Sequence, residues 1–452
     1  MYAVSPFQSL YETSGTHSGL RALKNRLYAF FGIVLIVLLA ILLHSAFRKG
    51  GLWQEGRYND FRAYHDAASY ALDDKLSSAY ALEERPYQYP PTLASVIVPI
   101  GLVPYRVGLV IWVLLSLGVL VCSFRVLDRV LCPPVDGLAK MVGFLFVYRL
   151  IESDFANTNA NVLVLGLVVF GFALERRERS VWGGFLIALA ACVKVYPILL
   201  FPWMVSPSRR RMLPGFLGGV VVWGVLVPGT VLGPSECFAS YRAWYGCMMA
   251  PMAAEETAEE AEETQYVAGQ SLRTLAYHLL RRTDATAHDE ESISVNFTHL
   301  SRAQTEGIYY AMSIVALGLC YAVIRKRWRG GVWRGDEIAI AMALTVLLSP
   351  LARKAHFVMI WPAAAMAFAV AFTSMGKRRT VLFSLWGVAL GLVLLTSPGV
   401  LGAKLSKLAM AYCPLSMSTL ILIAILLVPR QGCTAHAASA PVSPCQGAES
   451  SG

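Results

Sequence analysis

The stretch Tyr58-Asn-Asp-Phe-Arg-Ala-Tyr64-His-Asp66 puts two carboxylates, two tyrosines, an arginine and a histidine into nine residues. It follows the first long apolar segment of an oily chain. Polar groups beside a membrane segment are costly to hold there and are more often functional than those of a soluble loop. A carboxylate in this setting can take the proton from an attacking hydroxyl. Asp60 is the candidate base, Asp66 its rival, and Arg62 and Tyr64 are candidate substrate contacts. The plainer alternative is that Asp60 caps a helix beginning at Phe61, since Asp is a favoured N-cap.

Three later patterns bear on the same chemistry. Glu152-Ser-Asp-Phe-Ala-Asn-Thr-Asn-Ala-Asn161 is an acidic, amide-rich turn. Ala191-Cys-Val-Lys-Val-Tyr-Pro197 sets a lysine, Lys194, inside an apolar stretch, and Arg353-Lys354-Ala-His356 is a cationic cluster. Arg forks onto phosphate oxygens, while Lys and protonated His act as compact charges. A carboxylate facing a phosphate-binding cluster suits inverting glycosyl transfer. The carboxylate deprotonates the acceptor hydroxyl as it attacks the anomeric carbon, and the leaving group departs from the opposite face. A phosphate leaving group needs positive charge rather than a general acid. The plainer alternatives are a helix-capping histidine for His356 and snorkelling cations for Arg353 and Lys354. Lys194 has the alternative of satisfying carbonyls freed at Pro197. Asn161 could be a helix cap, and Tyr87 and Tyr89 part of an aromatic belt.

The elements that must position these groups are membrane helices. The chain has 452 residues, 56% hydrophobic and 15% charged, against about 25% charged in a soluble domain. Several apolar runs reach or approach the ~20 residues that cross a bilayer as a helix. The net charge of +10 is no sign of nucleic-acid binding, because the Lys and Arg residues cluster at the ends of apolar runs, as the positive-inside bias writes topology. The pattern predicts an all-α polytopic membrane protein of about twelve membrane helices. These include a short broken hairpin turning at Lys194 and Pro197, between two basic flanks. Residues 1–27 are expected to be a cytoplasmic N-terminal tail, 28–429 the transmembrane domain and 430–452 a disordered cytoplasmic tail. Two segments face the other side: 47–104, with Asp60, and the large loop 233–305. Both are expected to carry interfacial helices, one at Thr92–Val103 behind Pro91 and one around Gln270–His278. On this topology Asp60, Glu152, Asp154, Asn157, Asn159, Asn161 and the Arg353–His356 cluster share the non-cytoplasmic face. Arg353 and Lys354 break the positive-inside bias there, and a bound phosphate would justify them.

Other features carry less. Glu255–Glu263 holds six glutamates in nine residues and reads as a solvated helix or loop. Cys237 and Cys247 pair only if their loop faces an oxidising compartment, and unpaired thiols are the equal alternative. Asp73-Asp74 are adjacent and form no DxD-like pair, so no metal ligand and no cofactor are assigned.

In order along the chain come Asp60 with Tyr64 and Ala67-Ala68, Tyr89-Pro-Pro91, the turn ending in Asn161-Val-Leu-Val-Leu, Lys194 with Pro197, Gln270-Ser-Leu272, and Leu348-Ser-Pro350 followed by His356. This series resembles glycosyltransferase family 87 over about residues 55–360. The family has a GT-C fold and includes mycobacterial phosphatidylinositol-mannoside α-1,2-mannosyltransferases. The resemblance implies a GT-C-like fold and a polyprenyl-phosphate sugar donor. It implies Asp60 as base, with His356 near the donor phosphate and Lys194 at the family's Lys-x-x-Pro position. Arg353 and Lys354 join the phosphate contacts, and Tyr89, Asn161 and Gln270 join Arg62 and Tyr64 as substrate contacts. Two departures bear on specificity. Thr158-Asn159-Ala160-Asn161 stands where the family has Gly-Gln-x-Asn, and Arg353-Lys354 where tryptophan and other residues are common.

The expected function is transfer of a hexose, by resemblance mannose, to a lipid or glycan acceptor. The expected place is the outer face of a bacterial inner membrane, with donor, acceptor and membrane lipids as partners and no nucleic acid. The competing reading is a transporter or flippase of lipid-linked sugars. Such proteins show inverted repeats with matching broken helices, and the sequence shows one broken hairpin.

Overall fold

The computed structural model describes residues 17–53, 59–82, 86–131, 135, 137–206, 209–260, 269–285, 293–328 and 335–428. Tyr58, most of the first tail and the tail from 429 onward lie outside these residues. The described chain is helical. Its main helices are α1 (His17–Lys49), α2 (Asp60–Leu72), α3 (Tyr105–Val130), α4 (Gly137–Ala156), α5 (Asn161–Glu175) and α6 (Ser180–Val193). There follow α7 (Arg210–Leu232), α8 (Pro234–Glu260), α9 (Leu272–Leu280), α10 (Arg302–Trp328), α11 (Asp336–Leu347), α12 (Trp361–Thr373), α13 (Gly376–Leu395), α14 (Pro398–Ala411) and α15 (Pro414–Leu427).

Six described helical segments are long and apolar enough to cross a membrane: Gly32–Lys49, Tyr105–Val130, Arg210–Leu232, Arg302–Arg325, Lys354–Thr373 and Gly376–Leu395. The pair α14 and α15, bent by 66°, makes up to seven if counted as one span. The protein is therefore an integral membrane protein, but the expected count of about twelve is not reached. The difference lies in helix length, except for α4, which has 20 residues but carries Lys140, Arg149, Glu152 and Asp154. Segments counted as spans at 162–174, in the 180–205 hairpin and at 338–348 are helices of 15, 14 and 12 residues. At 1.5 Å per residue these fall short of a ~30 Å hydrocarbon core. The bent pair is a second broken segment that the sequence did not reveal.

The core is built of α4, α5, α11 and α12. Every residue of α11 is buried, from Asp336 to Leu347. Trp361, Ala363, Ala364, Ala365 and Ala367 of α12 are fully covered. A helix apolar and buried all round belongs to an interior, whereas one with an exposed apolar stripe faces lipid. Such a stripe runs along α1 through Ile33, Ile36, Val37 and Ile41.

Close packing follows from small residues. A Cβ on Gly184 of α6 would lie 2.0 Å from the Met212 carbonyl, and one on Gly215 of α7 would lie 1.8 Å from the Val181 carbonyl. The α6 and α7 backbones touch here because neither residue has a side chain. Pro228 in α7 cannot donate to the carbonyl four residues back. That carbonyl, of Gly224, accepts the Tyr241 hydroxyl of α8 at 2.6 Å, and a π turn at Val222–Leu226 absorbs the irregularity.

The region 233–305 is more helical than the sequence suggested. Its first part is the long α8, which carries the glutamate run as far as Glu260. The expected helix after Gln270 is α9, and Leu272 through His278 are all buried rather than presenting one apolar face. The stretch behind Pro91 is two short helices, Pro91–Val96 and Val98–Gly101, instead of one. Cys237 and Cys247 are free thiols.

Candidate active site

The site forms where four helix ends meet. Asn59 caps α2: its side-chain oxygen accepts the Arg62 backbone N–H at 2.9 Å. Asp60 is thereby the first helical residue, and its carboxylate is not consumed in capping. Its backbone N–H donates to the Asn157 carbonyl at 3.1 Å. The next N–H, of Phe61, donates to Thr158 Oγ1 at 3.2 Å. The N-terminus of α2 is thus docked on the α4–α5 turn.

That turn is strained and well tied. Thr158 has φ 51°, a left-handed conformation that is unfavourable for a β-branched residue. Such strain costs on the order of 1–3 kcal/mol and persists only where the surroundings over-determine it. Here the Thr158 hydroxyl donates to Asn59 Oδ1 at 3.0 Å, and its carbonyl accepts Trp112 Nε1 at 3.0 Å. The twist aims Asn159 at Asp60. Asn159 Nδ2 donates to Asp60 Oδ2 at 2.5 Å.

Asn159 is the hub. Its Oδ1 accepts the Lys194 ammonium at 2.6 Å, Asn161 Nδ2 at 3.1 Å and the Tyr64 hydroxyl at 3.3 Å. Lys194 also donates to Asn161 Oδ1 at 2.8 Å. Asn161 donates from Nδ2 to the buried Asp154 at 2.8 Å, whose other carboxylate oxygen accepts the Val162 N–H at 3.2 Å. Lys194 follows the last residue of α6 in extended conformation, so its side chain turns into the site. The Tyr89 ring lies 5.1 Å from that ammonium and packs edge-on against Tyr64 with centroids 4.8 Å apart.

Arg353 and His356 lie at the start of the 3-10 turn Lys354–Ile360 that leads into α12. Arg353 and Lys194 are the cations that act on Asp60. The Arg353 backbone N–H donates to His356 Nδ1 at 3.2 Å, which leaves the imidazole proton to Nε2. The His356 ring packs against Tyr196 at 5.4 Å. Burial pushes the Asp60 carboxyl above its ordinary value, and Lys194, the Asn159 amide and Arg353 pull it back down. Partial desolvation with cations close by suits a carboxylate that must accept a proton.

The expected residues therefore divide. Asp60, Tyr64, Tyr89, Asn161, Lys194, Arg353 and His356 come together. Arg62 turns away, pairing with Asp66 at 3.8 Å and lying 4.8 Å from the Tyr105 ring centre. Lys354 donates to the Thr396 carbonyl at 2.7 Å. Gln270 is buried in a structural link: its N–H donates to the Ala352 carbonyl at 2.7 Å and its Nε2 to the Met410 carbonyl at 2.8 Å. Asn159 was not singled out as a contact. The signal was present in the amide-rich turn, but not in which of its three asparagines would face Asp60.

A model of glycosyltransferase family 87 matches residues 87–350, more than half of the chain. The chain belongs to glycosyltransferase family 87. It is accordingly a glycosyltransferase. No curated protein matches it. The family match includes Tyr89, Asn161, Lys194 and Gln270. Asp60 lies well before its bounds and Arg353 and His356 just after them, and it is the fold that carries Asp60 to the matched residues.

Proposed function

We propose that this family 87 protein moves a hexose, mannose by family resemblance, from a polyprenyl-phosphate sugar to a hydroxyl of a lipid or glycan acceptor. We place the reaction at the extracytoplasmic face of a bacterial inner membrane, within a GT-C-like fold. The observation that carries the reading is the hydrogen-bonded link from the Asp60 carboxylate through the Asn159 amide, at 2.5 Å, to the Lys194 ammonium, at 2.6 Å. Asp60 takes the acceptor's hydroxyl proton as that oxygen forms a bond to the anomeric carbon. The bond from the anomeric carbon to the phosphate oxygen breaks, and its electron pair leaves with the phosphate. The product is a phosphate monoester carrying more negative charge than the donor diester. Arg353, Lys194 and the Nε2–H of His356 stabilise that charge as it develops. Attack from the Asp60 side inverts the anomeric configuration.

The test uses purified full-length protein offered radiolabelled polyprenyl-phosphate mannose or a nucleotide-activated mannose, with membrane lipid extract as acceptor. Label should move from the polyprenyl donor alone. Transfer from the nucleotide sugar in the absence of polyprenyl phosphate would overturn the donor assignment. The lipid product released by the polyprenyl reaction names the acceptor by its mass.

A further inference from the structure

Asp154 lies in the last turn of α4, is buried, and has no part in the reaction proposed for Asp60. The start of α5 holds both of its oxygens. Oδ2 accepts the Val162 N–H at 3.2 Å, and Oδ1 accepts the Asn161 N–H at 3.3 Å. These are donors that a helix N-terminus leaves without an intrahelical partner, so they fix where the carboxylate sits. Oδ1 also accepts Asn161 Nδ2 at 2.8 Å. A carboxylate only accepts, whereas an asparagine amide has one end that donates and one that accepts. Asp154 therefore settles which way the Asn161 amide points. Its NH2 faces Asp154 and its oxygen faces Lys194, whose ammonium donates to it at 2.8 Å.

The same NH2 group reaches Asn159 Oδ1 at 3.1 Å, and Lys194 donates to that oxygen as well, at 2.6 Å. With its oxygen so occupied, Asn159 turns Nδ2 to Asp60. Lysine is a compact charge on a flexible stem, so the acceptors it meets decide where a buried ammonium stands. A turned Asn161 amide would set an NH2 group against that ammonium, donor against donor. We propose that Asp154 is a positioning residue for sugar transfer: it fixes the Asn161 amide, which holds Lys194 on Asn159, the residue bonded to Asp60. It acts through Asn161 and not on the reacting atoms. The role rests on Lys194 stabilising the departing phosphate.

The test compares kcat, KM and Tm of purified full-length variants in transfer from polyprenyl-phosphate mannose. Asp154→Ala should lower kcat about tenfold or more, with KM changed less, because a misplaced charge loses much of its value to the transition state. In a Lys194→Ala protein, itself slow, the same change should cost little more, since residues acting as a unit are not additive. Asp154→Asn separates the direction of the hydrogen bond from the charge. Its amide oxygen should take the Oδ1 place, where two donors meet, which leaves NH2 against the Val162 N–H. Tm should then fall while kcat stays within about threefold of wild type. Wild-type kcat in Asp154→Ala, with Lys194→Ala slow, overturns the role. So does a full additive loss in the double variant, or Asp154→Asn as slow as Asp154→Ala. Lys194→Ala at the wild-type rate contradicts the proposed reaction itself, and the role of Asp154 falls with it. Should Asp154→Ala not fold, Asp154→Leu, which fills the space without offering an acceptor, takes its place.

Discussion

At the scale of single residues, the site turns on what Asn159 does for Asp60. Its amide and Arg353 both favour the ionised carboxylate. Removing either raises the Asp60 pKa further above its ordinary value. A base must be deprotonated, so activity is full above that pKa and falls as pH drops through it. Arg353→Gln should therefore move the acid limb of the kcat/KM profile to higher pH, as a pH–rate series will show. An unmoved limb with lowered rate would mean that Arg353 does not act on Asp60. Asn159→Ala removes hydrogen bonds to two charged groups, worth about 1.5–3 kcal/mol each. It should lower kcat/KM by at least tenfold in a transfer assay and shift the limb in the same direction. Asp60, Lys194 and His356 stood out in the sequence because charges in an oily chain are conspicuous. Asn159 did not, because its role rests on the left-handed backbone of Thr158, and a threonine gives no hint of that conformation.

At the scale of elements, helices were legible from apolar periodicity and basic flanks. Their lengths and breaks were not. The hairpin after Arg179 was visible because both flanks are basic and the interval is too short for two spans. The long α8 was hidden by its polar composition, and α14 was hidden by Lys404 and Lys407, which interrupt its apolar residues. The α6–α7 contact gives a direct test. Gly215→Ala puts a methyl 1.8 Å from the Val181 carbonyl. Overpacking costs typically about 1–3 kcal/mol, so the variant should show a clearly lowered Tm in a detergent thermal-shift measurement. Gly218→Ala has open space around its Cβ and should leave Tm near wild type or slightly above it.

At the scale of the whole molecule, charge is sorted to two ends. One end holds Asp60, Lys194 and the Arg353 loop. At the other, Arg209 is buried between Glu175 and Glu337, each at 3.6 Å. The sequence marked Arg209-Arg-Arg211 only as a basic flank, since nothing local shows that the first of the three turns inward to join α5 and α11. Breaking a buried ion pair by removing one partner costs about 3–5 kcal/mol. Arg209→Ala should therefore reduce the folded yield and Tm far more than Arg210→Ala or Arg211→Ala, both exposed. Equal, small effects of all three would show that the cluster does not fasten these helices.

The central claim is that Asp60 is the proton acceptor. The most direct measurement is single-turnover transfer from polyprenyl-phosphate mannose by Asp60→Asn, with donor binding measured on the same preparation. General-base catalysis contributes about 10²–10⁴-fold. Transfer should fall by that factor while donor affinity stays within a few-fold of wild type. Transfer at the wild-type rate would contradict the account.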